Sequence, residues 1–372
     1  MPLLKETNMR KLLLISLGTL TGYVLERLAR NGPFSEIVVA GRRPQHGEHK
    51  TNLAQIGAAI EGSFPQISFV ELDVNAPNAP IILANTAPDI AMAAPSMLPW
   101  WRLDGLSGQR AELAQRLPFA GWMACHLSPM LAVRDAWQAS GLEAPWIGAS
   151  YPDVVNTVLH RSGTGPTCGV GNVQEMVPKA RFVAAHKLGV SPADIDVRMV
   201  AQHALEYYLY HSEETAPEDA PPFLLEAFHN GRDVSDIARI GMFEPMPIAY
   251  DLDFNLLTAS SAYELLSAMA GDQAVRTHAP SPNGMMGGYP VLAGNGQVTL
   301  NLPETWSEDD AIASNAKSMG WEGIDDIEDD GSVRYTDETN ELLKDLLGYP
   351  VASLSPDNAQ SVAQDLIAAI TG

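Results

Sequence analysis

The residues near the N-terminus that could do chemistry are small or basic. Ser16, Gly18, Thr19, Leu20 and Gly22 form a turn between an apolar run, Lys11 to Ile15, and a stretch of helical spacing, Tyr23 to Arg30. Such a turn presents the free N–H groups of a helix N-terminus to an anion. Gly18 allows close approach of backbone to phosphate, and Gly22 allows the helix to pack tightly on the strand. A second apolar run, Glu36 to Ala40, ends in Gly41-Arg42-Arg43. Strand, turn, helix and strand make the unit that holds a dinucleotide pyrophosphate. The glycine fingerprint is degenerate, with Ser16 in the first glycine's place and the last glycine displaced by one position. At the end of the second strand an acid would bind the ribose hydroxyls of NAD. Here Arg42 and Arg43 stand instead, and guanidinium forks suit a 2′-phosphate while their planes stack on adenine. The cofactor indicated is NADP(H), the alternative being a solvated arginine pair. Much later, His203 closes the apolar run Asp196 to Gln202. An imidazole titrating near neutrality can protonate a carbonyl oxygen as hydride arrives, or deprotonate the alcohol in reverse. Taken alone, a histidine on an apolar strand is more often a satisfied core residue.

These groups need a frame. The pattern predicts a helix over 51–60, a strand over 67–73, a short apolar segment over 79–84 and a strand over 89–94. A loop rich in Pro and Trp (95–102) follows, then helices over 109–117 and 131–140 and a strand over 145–150. Alternating strands and helices imply a doubly wound parallel sheet, a Rossmann-type α/β fold. Ligands of such sheets sit outside the carboxyl ends of the strands, so Ala94, Pro95 and Ser150 join the cofactor-binding candidates. Beyond Ser162 the texture changes, with helices over 173–188 and 256–269 and a polar, proline-rich excursion at 215–222. Strands at 287–293 and 297–302 flank Asn295-Gly296, a hairpin signal, and Ser307 to Asp310 caps a further helix. The expected division is a nucleotide-binding domain over 9–160 and an α+β catalytic domain over 161–372.

Composition narrows the partners. A net charge of −22 argues against nucleic acid and anionic membrane surfaces. The acidic runs Glu304 to Asp310 and Glu322 to Asp330 read as solvated surface. Arginine outnumbers lysine by 16 to 7, a usage that fits a GC-rich or salt-adapted bacterium. Cys125 and Cys168 make no disulfide framework and no zinc motif. No apolar stretch approaches the ~20 residues of a membrane span, and Leu12 to Ile15 is too short for a signal peptide. A cytoplasmic protein is expected.

From Tyr151 to His203 the sequence resembles the lactate/malate dehydrogenase superfamily. Ser150-Tyr151-Pro152-Asp153 resembles that family's strand-end Asn-Pro-x-Asp motif, with Tyr151 in the asparagine's place. Leu188-Gly189-Val190 resembles the end of its next helix, and His203 stands at the ungapped spacing of its catalytic histidine. Leu257-Thr258 and the final hairpin extend the likeness. The resemblance implies a C-terminal domain of lactate/malate dehydrogenase type, His203 as acid/base, a homodimer or homotetramer, and a small hydroxy or keto substrate such as a 2-hydroxy acid. It requires a carboxylate to orient the imidazole. The ungapped count falls on Met176, so Glu175 beside it takes that role. The family's substrate-carboxylate arginine falls on Lys179, with Arg181 as a neighbouring substitute. Arg102 and Arg110 flank Ser107-Gly108-Gln109, which resembles the family's substrate loop. Arg110 is the second candidate anion holder, with a plain surface role as its alternative, and Trp100 and Trp101 imply a bulkier substrate or loop packing.

A second likeness competes. Gly169-Val-Gly171-Asn172 followed by Gln202-His203 resembles family 4 glycoside hydrolases, which use NAD and a metal held by Cys and His, but the cysteine's place is taken by Gly171. No metal ligand set is assigned. A catalytically silent nucleotide-binding protein is the third reading. The segment His278 to Pro290, with Asn283 and Tyr289, reads as a structural turn that also offers groups to a substrate.

Overall fold

The computed structural model describes residues 11–103, 109–211, 215–249 and 251–371. The first half alternates as expected: Lys11–Ile15 (β1), Thr19–Asn31 (α1), Glu36–Gly41 (β2), Pro44–Ile60 (α2), Gln66–Glu71 (β3), Ala79–Thr86 (α3), Ile90–Ala93 (β4), Gln109–Arg116 (α4), Ala124–Ser140 (α5), Trp146–Gly148 (β5) and Pro152–Arg161 (α6). The five strands form one parallel sheet in the order β3-β2-β1-β4-β5, with Leu13 between Val38 and Ala91. β1, β2 and β4 are apolar without alternation because helices cover both faces. The order reverses beside β1, which opens the crevice where such sheets bind ligands. A remnant of a sixth strand follows, in which Ile147 bridges Cys168 in parallel and the Gly148 N–H donates to the Cys168 carbonyl at 3.0 Å. α2 starts well before the expected residue 51, because Pro44 supplies the fixed φ that suits a first helical position. α6, also headed by a proline, is a helix where only a strand end was read.

The second half contains Val173–Leu188 (α7), Ile195–Val200 (β6), His203–His211 (α8), Leu224–His229 (β7), Arg232–Asp233 (β8), Ser235–Gly241 (α9), Asn255–Ala270 (α10), Val275–Pro280 (β9), Gly288–Gly294 (β10), Gln297–Leu300 (β11), Glu308–Ser318 (α11), Ile324–Ile327 (β12), Val333–Tyr335 (β13), Asp337–Leu347 (α12) and Ala359–Thr371 (α13). β6, β7 and β8 form one antiparallel sheet, and β10 pairs between β9 and β11 in another. The β10–β11 turn is the expected one, with Asn295 and Gly296 both at positive φ (49° and 72°). Ser307 caps α11 by accepting the Asp310 N–H.

One expectation needs correction. His203 does not end the strand; β6 stops at Val200, and His203 is the first residue of α8. Two side chains satisfy the helix's leading N–H groups, with Asp153 Oδ2 accepting from His203 at 2.6 Å and Gln202 Oε1 from Ala204 at 2.9 Å. The buried apolar residues fall into three clusters. One joins Leu127, Met130 and Val133 of α5 to Leu342 of α12 and Leu366 of α13, so the end of the chain returns onto the nucleotide-binding half. Among the described residues no helix is long and apolar enough to cross a membrane.

Candidate active site

At the carboxyl end of the parallel sheet, Ser16 leaves β1 at φ 75°, the left-handed conformation that a glycine would adopt freely. Its N–H donates to the Ala40 carbonyl at 2.9 Å, which ties the turn to β2. Gly18 caps α1 without a side-chain hydrogen bond, and a Cβ placed there meets no atom within 4 Å. The space in front of the helix is thus open and faced by backbone donors, as a pyrophosphate requires. Thr19 and Leu20 follow, half-buried, in the first turn. Gly22 departs from its expected role, since a Cβ there also meets nothing within 4 Å and tight packing on the strand does not demand a glycine. Arg42 and Arg43 are exposed at the end of β2. The loops after β4 and β5 are joined where Ser150 Oγ donates to the Pro95 carbonyl at 2.6 Å, and the Ala94 N–H donates to the Ile15 carbonyl at 3.1 Å. The strand-end loops therefore converge as the sheet rule requires.

Beside them lies a buried polar cluster centred on His203. Its Nδ1 is hydrogen-bonded to Glu322 Oε1, and the other oxygen of Glu322 accepts from the Tyr151 hydroxyl and, at 2.8 Å, from Gln202 Nε2. Glu322 thus has one oxygen on the ring and the other fixed by two donors. The imidazole packs 4.7 Å from the Phe119 ring and 5.6 Å from Tyr151, centroid to centroid. Nε2 has no hydrogen-bond partner among the described residues, and the side chain keeps 11% exposure. Burial alone would lower the pKa of His203. Glu322, then Asp153 and Glu175, outweigh it and hold the imidazole above its ordinary value. His126 stacks on the far side of Phe119 and is pushed down to about 4 by burial and by His203. The two histidines are therefore shifted in opposite directions, His126 down and His203 up.

Further carboxyls surround the ring. Asp153 is fully buried and pushed up to about 7 by burial, against the opposing pull of His203. Glu175 on α7 and Glu206 on α8 face one another; burial raises both, Glu175 raises Glu206 further, and hydrogen bonds to Thr258 and Glu206 hold Glu175 back. Their helices register in layers. One turn beyond this pair, the Lys179 ammonium lies 5.2 Å from the centre of the Tyr210 ring, and among the described residues Lys179 forms no ion pair. Burial lowers Lys179 to about 8.

No family model matches the chain, and no curated protein matches it in sequence. Solved structures do. A lactate dehydrogenase from Cryptosporidium parvum, complexed with lactic acid and nicotinamide adenine dinucleotide, superposes with a TM-score of 0.59 at 14% identity over 85% of this chain and 96% of that one. The fold is that of the lactate and malate dehydrogenases. A malate dehydrogenase from Plasmodium falciparum gives a TM-score of 0.54 at 13% identity, covering 98% of this chain and all of its own. One from Salinibacter ruber gives 0.53 at 18% identity over 84% and 95% of the two chains.

Within this dehydrogenase fold, the structure brings some of the expected residues together and separates others. The carboxylate on the imidazole is Glu322; Glu175, expected there, faces Glu206 and acts on His203 only through its charge. Glu322 escaped the sequence reading because it opens an acidic run that looks solvated throughout. Asp153 was visible only as part of the motif after β5. Lys179 is on the expected helix but a turn away from the carboxyl pair. Arg181 belongs elsewhere, near Arg198, Glu264 and His278. Arg110 lies on α4, and its side chain, with Ser107 and Gly108, is outside the described residues. His278, Asn283 and Tyr289 all spend their polar atoms internally, on the Met199 N–H and on the carbonyls of Val298 and Met286. That segment is a structural turn. A side chain at Gly171, the glycoside hydrolase cysteine position, would stand 2.9 Å from Glu175 Oε1 on a backbone at φ 88°. Among the described residues no three His, Cys, Asp or Glu side chains are placed to share one metal ion.

Proposed function

We propose that the protein is an NADP(H)-dependent oxidoreductase acting on a small hydroxy or keto compound, with His203 as the acid/base. The observation that carries this reading is the Glu322–His203 pair. It holds an imidazole by Nδ1, leaves Nε2 for a ligand, and sits beside a nucleotide turn on a dehydrogenase fold. A bound nicotinamide supplies or accepts the hydride. His203 donates a proton from Nε2 to the carbonyl oxygen in reduction and takes it from the hydroxyl in oxidation, while Glu322 fixes the tautomer and stabilises the imidazolium. Phe119 and Tyr151 shield the ring from water.

The choice of NADP(H) rests on Arg42 and Arg43, which are exposed and have no acid within ion-pair distance among the described residues. His46, His49 and Lys50 on α2 add to the positive field; burial first, then Arg43 and these neighbours, lowers the pKa of His46. Fluorescence titration with NADPH and NADH tests this. Arg42→Ala should weaken NADPH on the order of 10-fold or more and leave NADH unchanged. Equal affinity of the wild type for the two nucleotides would refute the arginine argument.

We also propose self-association as a homodimer or homotetramer. The reading is supported by an exposed apolar strip at Leu53, Ile56 and Ile60 of α2, continued by Phe64 and by Leu256 of α10, with exposures from 51% to 82%. It borders a cleft of about 620 Å³. Contiguous apolar surface of this kind is uncommon on monomers. Light scattering should report an oligomer that Ile56→Glu dissociates, and a monomeric wild type would overturn it.

A further inference from the structure

Glu322 meets His203 from 119 residues further along the chain, and its reach depends on the turn that carries it. It ends one short helical turn, Met319–Glu322, and the next residue, Gly323, bends the backbone at φ 90° and ψ 21°. Three residues close on that glycine. The N–H of Thr336, which caps α12, donates to the Gly323 carbonyl at 3.0 Å. Thr339, fully buried in the first turn of α12, keeps its hydroxyl 3.0 Å from that of Thr336. Pro118 completes the contact. A Cβ on Gly323 would overlap Thr339 Oγ1 and stand 2.9 Å from Pro118 Cβ. Pro118 also caps the short turn Phe119–Trp122, and Phe119 packs on the imidazole. The same small contact thus stands behind both the carboxylate and the phenyl ring that hold His203. Gly320, three residues before Gly323, provides the contrast: it is exposed, and a Cβ there meets nothing within 4 Å.

We infer that Gly323, braced by Thr339 and Pro118, is the positioning residue that sets Glu322 on His203, so that α12 governs an acid/base it does not touch. The inference rests on the oxidoreductase reading above for its effect on turnover, while the placement of Glu322 is measurable without it. Only glycine takes the left-handed turn without strain. A methyl group at Gly323 must push either the turn or α12 aside. Leu342, Leu343 and Leu346 fix α12 in the same buried cluster as Leu117 and Trp122, and a close-packed interior transmits such a push instead of absorbing it. The turn is therefore the part that moves, and Glu322 moves with it. Hydrogen bonds weaken steeply with displacement, and a misplacement of about 1 Å at a catalytic group costs on the order of 10²-fold in rate.

Two readouts on the full chain test this: the NMR titration of the His203 imidazole, assigned by its loss in His203→Gln, and the pH profile of ketone reduction. Gly323→Ala should lower the imidazole pKa by about 0.5 unit or more. It should also cut kcat by roughly 10- to 100-fold with NADPH affinity unchanged. Gly320→Ala should match the wild type in both. Adding Gly323→Ala to Glu322→Gln should cost little more, because the carboxylate it would misplace is already gone. Gly323→Ala with Thr339→Ala, which removes the overlapping hydroxyl, should recover part of the loss. If Gly323→Ala does not fold, Pro118→Ala loosens the same contact without a clash and should move both readouts the same way by less. An unshifted imidazole in whichever of the two variants folds overturns the inference, as does a Gly323→Ala loss that adds in full to that of Glu322→Gln. An imidazole that shifts as expected in a protein that neither binds NADPH nor reduces ketones would sink the oxidoreductase reading and leave the positioning role standing.

Discussion

His203 has two neighbours that push its pKa in opposite directions: the apolar shell of Phe119 lowers it and Glu322 raises it. Glu322→Gln keeps the shape and removes the charge. The imidazole pKa should then fall toward what burial dictates, so the pH at which ketone reduction is half-lost moves down. The rate should drop by about 10²–10⁴, as for loss of a positioned acid/base. An unshifted pH profile in Glu322→Gln would remove that carboxylate from the mechanism. His203→Gln should lose a similar factor at every pH while retaining NADPH affinity. His203 was legible because its distance from Leu188-Gly189-Val190 is a property of the chain. Glu322 was not, because its neighbours Asp325 and Asp326 are as exposed as the run implies. Only the left-handed turn at Gly323 (φ 90°) sends the first acid inward and leaves the rest outside.

The nucleotide turn separates binding from stability in an unusually clean way. Because a Cβ at Gly18 meets no protein atom and its φ of −93° suits any residue, Gly18→Ala should leave the melting temperature within about 2 °C of the wild type. It should nevertheless weaken NADPH on the order of 10-fold or more, since the methyl group occupies the space in front of α1. Ser16→Gly works the other way, relieving a left-handed backbone and stabilising the fold by about 1 kcal/mol. Dye-monitored melting beside nucleotide titration checks both. Apolar periodicity located β1, β2, β4 and α7 nearly to the residue, because those elements are written in their own side chains. The start of α8 could not be read this way. It is set by Asp153, 50 residues earlier in the chain, which reaches the His203 N–H from another helix.

Over the whole molecule, the buried acids tie stability to pH. Asp153 titrates near 3.8 when unfolded and near 7 when folded, so between those values the native state holds a proton that the unfolded chain has lost. Stability must therefore fall as pH rises through that window and level off above it, by up to about 4 kcal/mol for Asp153 alone. Glu175 and Glu206, also raised, act in the same direction. His203 does too, since the advantage of its raised pKa is present at low pH and lost as pH rises through it. Urea unfolding at pH 5.5 and 8 should give the lower midpoint at pH 8, and Asp153→Asn should flatten the difference; a higher midpoint at pH 8 would contradict the burial assigned to these acids. The hydrogen bond from His203 to Glu322 spans 119 residues of sequence. During synthesis, the nucleotide turn emerges from the ribosome early, whereas the imidazole gains its partner only after most of the chain has been made. Because α12 and α13 complete the core under the parallel sheet as well, both the sheet's packing and the acid–base pair are finished only when the last residues arrive.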